Sequence, residues 1–452
     1  MTTEVRLPAA RGAGAPRVEK APPLQRPQAS YYLLLAATGC LLFLGIVMVF
    51  SASSVRSYAT YGSSTTVALK QGVFIAVGLP LAWAASRMPV RFWRSAAVPG
   101  LLACVGLLVA VLLPGVGKTV DGTQGWIPLP GGFNLQPGEA AKVALALYGA
   151  DLLVRKQKLL GDWRHLFLPL LPVAALLAGL LMLQPDMGMT IALLIVFVGL
   201  LWVAGTPMRY FGAMCAVLVA IFTMFALAAP YRVRRLTSFL DPFSDAQDSG
   251  FQAVQSMYAI ASGGLFGLGL GGGQSKWSGG LPATYTDFIF AVICEELGLV
   301  GALAVLTLIA TLAYTGVRIA KRTRDPFVRL AASALTAMLA GQSLINLGGV
   351  VGLLPITGLT LPLVSFGGSS MLTTLLAVGV LLSFARAEPG AEAALRSRPG
   401  LLRRLRLRRE AGAPPAAAVA PARRTSSRTG ASARRQRSAS APARGRRPAG
   451  RR

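Results

Sequence analysis

The sequence predicts an all-α polytopic membrane protein of about ten transmembrane helices. Both termini are expected on the cytoplasmic side, with a large extracytoplasmic loop between helices seven and eight. Three observations carry this prediction. The chain is 54% hydrophobic and only 14% charged over 452 residues, with a mean hydropathy of +0.57, a balance foreign to soluble domains. Apolar runs of the roughly 20 residues needed to span a bilayer recur about ten times. Lys and Arg gather in alternate connecting loops, the pattern that sets orientation.

The runs fall near 31–52, 66–86, 96–114, 136–153, 166–183, 188–206, 209–229, 287–316, 328–353 and 367–386, with those at 136–153 and 166–183 the least sharply defined. One set of short loops holds Arg87, Arg91 and Arg94, then Arg155, Lys156, Lys158 and Arg164, then Arg209, then Arg318, Lys321, Arg322, Arg324 and Arg329. Ten spans place all of these on one side, together with two basic termini. Residues 1–30 form a polar, Pro-rich cytoplasmic arm with no cleavable signal, and 31–386 form the membrane domain. Residues 387–452 are a low-complexity Ala/Pro/Ser/Arg tail that buries too little apolar surface to fold alone.

The net charge of +28 invites a nucleic-acid reading, but its distribution opposes it. From Arg386 onward there are 19 basic and 3 acidic residues, so over half the excess lies outside the spans. Within the tail, 401–409 (LLRRLRLRR) suits anionic lipid or an acidic cytoplasmic protein. No nucleic acid is expected. Cys40, Cys104, Cys215 and Cys294 are scattered through apolar runs, and His165 is the only histidine. Zinc sites, disulfides and His-based triads are therefore not expected. A formal GxGxxG at Gly267, Gly269 and Gly272 lacks a preceding strand and a βαβ unit, so no nucleotide site is expected.

Two outward loops are long, 114–135 with Trp126 and 230–286 with Arg232, Arg234, Arg235 and Lys276. Cations placed there serve either lipid headgroups or an anionic ligand. Polar groups also collect at the outward ends of spans, where ionisable residues are costly and suspect. Gln136, Glu139 and Lys142 lie in QPGEAAK, where Glu139 and Lys142 share a helix face at i, i+3. Gln184 and Asp186 lie in LQPDMG, a tight turn. Gln342, Ser343 and Asn346 lie in span nine. Ser365 and Ser369 lie in PLVSFGGSS, a re-entrant-looking turn. In LPATYTDFIFAVICEELG, at 281–298, Asp287 stands where a polar loop enters an apolar helix. Read alone, Thr284, Thr286 and Asp287 serve equally as a helix cap. Glu295 and Glu296, about two turns deeper, read as packing or ion-pair groups.

Taken together, these segments resemble the SEDS family, which includes FtsW and RodA. The resemblance rests on QPGEAAK at 136–142, LQPDMG at 183–188, YRVRRLTSFLDPF at 231–243, GFQAVQSMYAIASGGLFGLGLG at 250–271, LPATYTDFIFAVICEELG at 281–298 and INLGGVVGLLPITGLTLPLVSFGGSS at 345–370. It covers roughly residues 31–386, and SKWSGGLPATYTDFIF is closer to the FtsW pattern. The resemblance implies a SEDS-type bundle and a peptidoglycan glycosyltransferase that polymerises lipid II during septal wall synthesis at the plasma membrane. It maps the family's catalytic acid onto Asp287 and its basic pair onto Arg232 and Arg235. It also implies a class B penicillin-binding transpeptidase and other division proteins as partners. One departure stands out. Where the family pattern reads GAxRW, this chain reads GTQGW, with Gly125 in the place of Arg; either another cation such as Lys118 compensates, or this loop contributes less to anion binding than in the family.

The chemistry expected is attack of an acceptor hydroxyl on the donor's anomeric carbon, with Asp287 as general base. A sugar alkoxide leaves poorly and needs an acid. A lipid pyrophosphate leaves as a stabilised anion, so one base and nearby cations suffice. Arg232, Arg235 and Lys276 are the expected cations, joined by a divalent Mg²⁺ or Mn²⁺. Glu139, Lys142, Asp186, Gln184, Asn346, Ser365 and Ser369 complete the expected substrate site. The alternatives are a flippase for the same lipid-linked precursor and a non-catalytic division scaffold.

Overall fold

The computed structural model describes residues 26–120, 122–130, 132–156, 163–227, 239–248, 250–277 and 279–396. The N-terminal arm to residue 25, Lys158, Arg232, Arg234, Arg235 and the tail from 397 lie outside the described residues.

Among the described residues, helices lie on the apolar runs of the sequence. They are α1 (Ala29–Tyr61), α2 (Thr66–Arg87), α3 (Val90–Leu112), α4 (Pro137–Arg155), α5 (Trp163–Leu183), α6 (Met187–Val203) and α7 (Met208–Leu227), then α9 (Ile289–Arg322), α10 (Pro326–Val350) and α11 (Gly368–Arg386). Two more, α8 (Phe251–Ser262) and α12 (Ala391–Arg396), follow α7 and α11. Among the described residues α1, α2, α3, α9, α10 and α11 are each long and apolar enough to cross a membrane, and shorter apolar stretches lie at Leu170–Leu183 and Met187–Val203. The protein is thus a mostly helical, polytopic membrane protein.

Local chemistry sets the helix ends. Gly62 closes α1 in the left-handed conformation, its N–H donating to the Tyr58 carbonyl. Pro137 opens α4 at a position that needs no N–H donor. Asp325 caps α10 by accepting from the Phe327 N–H. The centre of the bundle is α4, α10 and α11, whose side chains are buried nearly all round. Against this centre α2 packs on α11, where Gly379 lies so close to α2 that a Cβ would stand 2.6 Å from the Ala82 carbonyl.

Between α3 and α4 the Gly/Pro-rich segment folds into a small antiparallel sheet, β1 (Lys118–Val120), β2 (Thr123–Leu129) and β3 (Phe133–Leu135), in the order β1-β2-β3. The alternation in these strands is too short to read as strand from sequence. The sheet marks one end of the bundle, the hairpin end. The opposite end carries the basic loops. There Arg94 and Arg155 both pair with the buried Asp151, and Arg322 pairs with Glu388 beyond α11.

The long run after the second loop is a broken helix. Gly298, at φ 65° and ψ −161°, interrupts α9, a backbone region open essentially to glycine alone. The Gly-rich stretch after α8 fills the break. Leu268 and Gly269 N–H groups donate to the Glu295 and Glu296 carbonyls at 2.9 and 3.0 Å, and the Leu299 N–H donates to the Gly264 carbonyl at 3.0 Å. Every freed backbone group at that depth needs such a partner. The two acids do the same with side chains. Glu295 accepts from the Gln274 and Ser275 N–H groups and the Ser275 hydroxyl. Glu296 pairs with Lys276 at 2.8 Å and accepts from Ser51 of α1.

Candidate functional site

Five helix N-termini converge at the hairpin end, those of α2, α4, α6, α9 and α11. They enclose a cavity of about 440 Å³, lined by Lys70 of α2, Glu139 of α4, Asp186 before α6, Asp287 before α9 and Ser369 of α11. Trp126 of β2 and Phe133 of β3 also line it, so the hairpin forms part of its wall. Helix N-termini carry partial positive charge. Three of the five have an acid beside them, namely Glu139, Asp186 and Asp287. α2 and α11 have none in their first turns.

Asp287 is held from several directions through its own loop. Asn346 Nδ2 donates to the Asp287 carbonyl at 2.7 Å and to the Leu359 carbonyl at 2.7 Å. The Phe366 N–H donates to the Tyr285 carbonyl at 2.8 Å, and the two rings meet edge to face. Thr284 donates to the Ala52 carbonyl of α1, and Thr286 turns back to Ala283. The cap position of α9 is Phe288, with no side-chain capping bond, so the threonines do not cap this helix. The carboxylate lies beside Gly358, whose ideal Cβ would stand 3.8 Å from Asp287 Oδ2.

The second acid group is a buried relay. Lys142 is fully buried, pairs with Glu139 at 3.0 Å and donates to Gln342 Oε1 at 2.7 Å. Gln342 in turn donates to the Thr360 carbonyl at 2.9 Å. This chain ties α4 to α10 and to the loop before α11. Asp186 caps α6 through the Met189 N–H at 2.9 Å and accepts from Gln136 Nε2 at 3.0 Å. Burial pushes the Asp186 carboxyl above the usual carboxylate range. The Met189 N–H, Lys142 and Gln136 oppose that shift, and the Glu139 charge adds to it. Ser369 accepts from the Gln136 N–H at 2.8 Å and donates to the Asn134 carbonyl at 3.1 Å, so it pins the hairpin to α11.

Other expected site residues lie elsewhere. Lys276 is not among the cavity-lining residues. Its ammonium is committed to Glu296 and Ser51, between the Gly-rich stretch and α1. Gln184 is buried and donates to the Leu108 carbonyl. Ser365 accepts from the Leu361 N–H and so shapes the loop that presents Ser369. Asn346 acts on Asp287 from behind. Lys118 sits on β1 and does not line the cavity, whereas Gly125 is buried in β2 facing Asp186. A Cβ at Gly125 would stand 3.4 Å from Gln184 Oε1 and 3.9 Å from Asp186 Oδ2. The residue that sequence reasoning misses is Lys70, the one Lys or Arg among the described residues that line the cavity. A lysine near the start of an apolar run looks like an ordinary snorkelling residue.

Backbone strain concentrates here. Ala283 and Leu363 both hold positive φ. They lie in the loops that lead into α9 and α11. Such conformations cost on the order of 1–3 kcal/mol and persist where packing over-determines them, commonly at functional sites.

Residues 32–389 match the family model for the cell cycle proteins FtsW, RodA and SpoVE. The probable peptidoglycan glycosyltransferase FtsW of Mycobacterium tuberculosis is 45% identical over 386 residues, spanning 85% of this chain and 73% of that one. The stage V sporulation protein E of Bacillus subtilis is 38% identical over 354 residues, spanning 78% and 96%. Among solved structures, a chain of a peptidoglycan synthase complex that coordinates polymerization and crosslinking superposes with a TM-score of 0.66 at 29% identity, covering 78% of this chain and 97% of that one. The rod shape determining protein RodA of Thermus thermophilus gives 0.56 at 28% identity, covering 78% and 96%. On this match, which runs through the hairpin, the broken helix and all three loops of the cavity, the chain belongs to the FtsW/RodA/SpoVE family of cell cycle proteins.

Proposed function

We propose that the protein is a peptidoglycan glycosyltransferase that polymerises lipid II into glycan strands on the outer face of the plasma membrane, in septal wall synthesis. The observation that carries the reading is a single cavity that gathers Glu139, Asp186 and Asp287 at the end of the bundle away from the basic loops. In this reading all ten long helices span the membrane and both termini are cytoplasmic, which puts the hairpin end outside.

Asp287 is the general base. It takes the proton of the acceptor hydroxyl as that oxygen bonds to the anomeric carbon of the donor. The bond from that carbon to the pyrophosphate oxygen breaks, and the pyrophosphate leaves with the electron pair. A flexible exposed loop would place a base poorly. Asn346, Phe366 and Thr284 fix the backbone on either side of Asp287.

A Mg²⁺ or Mn²⁺ ion is expected with a pyrophosphate substrate. Among the described residues no three His, Cys, Asp or Glu side chains stand close enough to hold one. Those residues do not form a protein cage for a metal. The proposed partners are a class B penicillin-binding transpeptidase and other division proteins. The neighbouring complex, in which polymerization is coordinated with crosslinking, supports the first. The basic tail would meet anionic lipid or an acidic division protein.

The test uses the full chain in vesicles supplied with fluorescent lipid II. The expected product is a ladder of glycan strands. Movement of lipid II between leaflets with no strand growth would replace this reading with a flippase, and neither activity would leave a scaffold.

A further inference from the structure

We infer that Lys70 is the cation that binds the diphosphate of the lipid-linked donor and takes up charge as it leaves; this rests on the glycosyltransferase reading above. The reaction breaks a carbon–oxygen bond and leaves both electrons on a diphosphate oxygen. An unsupported anion there, beside three carboxyl groups, is unfavourable, so the site needs positive charge near the breaking bond.

The described cations sort cleanly. Lys142 is fully buried and spent on Glu139 and Gln342. Lys276 is spent on Glu296 and does not line the cavity. Lys118 does not line it either. Lys70 does, and it is half-buried rather than sealed off. Its ammonium lies over the Tyr61 ring, 4.7 Å from the centroid. That contact restrains the long side chain without neutralising it.

Position agrees with charge. Glu139 is met by Lys142, but the Asp186 and Asp287 carboxyl groups disfavour a diphosphate beside them, which leaves the starts of α2 and α11, with no acid in their first turns. Lys70 stands on α2. One turn along α2, Phe74 packs against Gly368 at the acid-free start of α11. The donor's diphosphate therefore sits between Lys70 and the Gly367–Ser370 turn, and its sugar faces Asp287. The family resemblance assigns the cations to Arg232 and Arg235, so the inference adds a ligand on a different element.

The experiment compares wild type, Lys70→Met, Lys70→Arg and Asp287→Asn as full chains in vesicles, with Lys70→Gln in place of Lys70→Met should the latter fail to fold. Binding of polyprenyl diphosphate and polyprenyl monophosphate is measured beside polymerisation of lipid II. Losing one charge-assisted contact weakens diphosphate binding by roughly 10–100-fold. Lys70→Met is expected to show that loss for the diphosphate, a smaller loss for the monophosphate, and a lowered kcat. Lys70→Arg restores most of the binding, and Asp287→Asn, which removes a repelling charge, does not weaken it. Wild-type diphosphate affinity in Lys70→Met, or equal losses for both lipids, overturns the inference. Selective diphosphate loss in a protein that makes no glycan strands keeps Lys70 as the ligand and overturns the glycosyltransferase reading instead.

Discussion

Asp287→Asn is expected to lower the rate of glycan polymerisation by about 10²–10⁴, the usual worth of a positioned general base, while the folded protein keeps its melting temperature. The two halves of this expectation come from different observations. Rate falls because asparagine cannot accept the acceptor's proton. Stability holds because Asp287 is fixed by its backbone carbonyl, through Asn346, and asparagine retains that carbonyl. Steady-state polymerisation and thermal unfolding, measured on the same preparation, check both halves. A variant that is inactive because it is unfolded would point to a structural carboxylate.

The opposite pattern is expected at the buried pair. Lys142→Met leaves the Glu139 carboxylate unpaired at 4% exposure, and removing one partner of such a pair costs about 3–5 kcal/mol. Gln342 loses its donor at the same time. The double variant Glu139→Gln/Lys142→Met removes the uncompensated charge and recovers most of the stability, since a buried pair replaced as a unit is often neutral. Thermal unfolding of both variants checks this. Equal destabilisation by the single and double changes would mean that charge burial is not what makes the single change costly.

Much of the fold is readable in the apolar runs, because spanning length and loop charge are strong local signals. Run 66–86 becomes α2 at Thr66–Arg87, and run 188–206 becomes α6 at Met187–Val203. The departures are places where a long-range partner extends a helix. α3 begins at Val90 rather than near 96, and Arg94 in its first turns meets Asp151 of α4. α9 runs on to Arg322, whose partner Glu388 lies 66 residues away. The hairpin strands and α8 are hidden by shortness and by glycine.

The site divides the same way. Acids at the mouths of apolar helices stand out against their surroundings, so Glu139, Asp186 and Asp287 can be picked from sequence alone. Cations are harder to sort in a chain with 45 Lys and Arg. Lys276 stands out in a long outward loop, whereas Lys70 passes for a snorkelling residue near the start of an apolar run. Only the folded chain sets the first against Glu296 and the second against an open cavity.

The central claim is that the cavity under the hairpin receives the lipid-linked sugar. A photoreactive phenylalanine analogue at Phe133, which lines that cavity against Phe74, tests it most directly. Its control is the same group at Trp202, in the apolar groove between α6, α7 and α10. Illumination with radiolabelled lipid II is predicted to label the Phe133 position, with excess unlabelled lipid II suppressing it and Trp202 giving no competable adduct. Competable labelling at Trp202 with none at Phe133 would contradict the account.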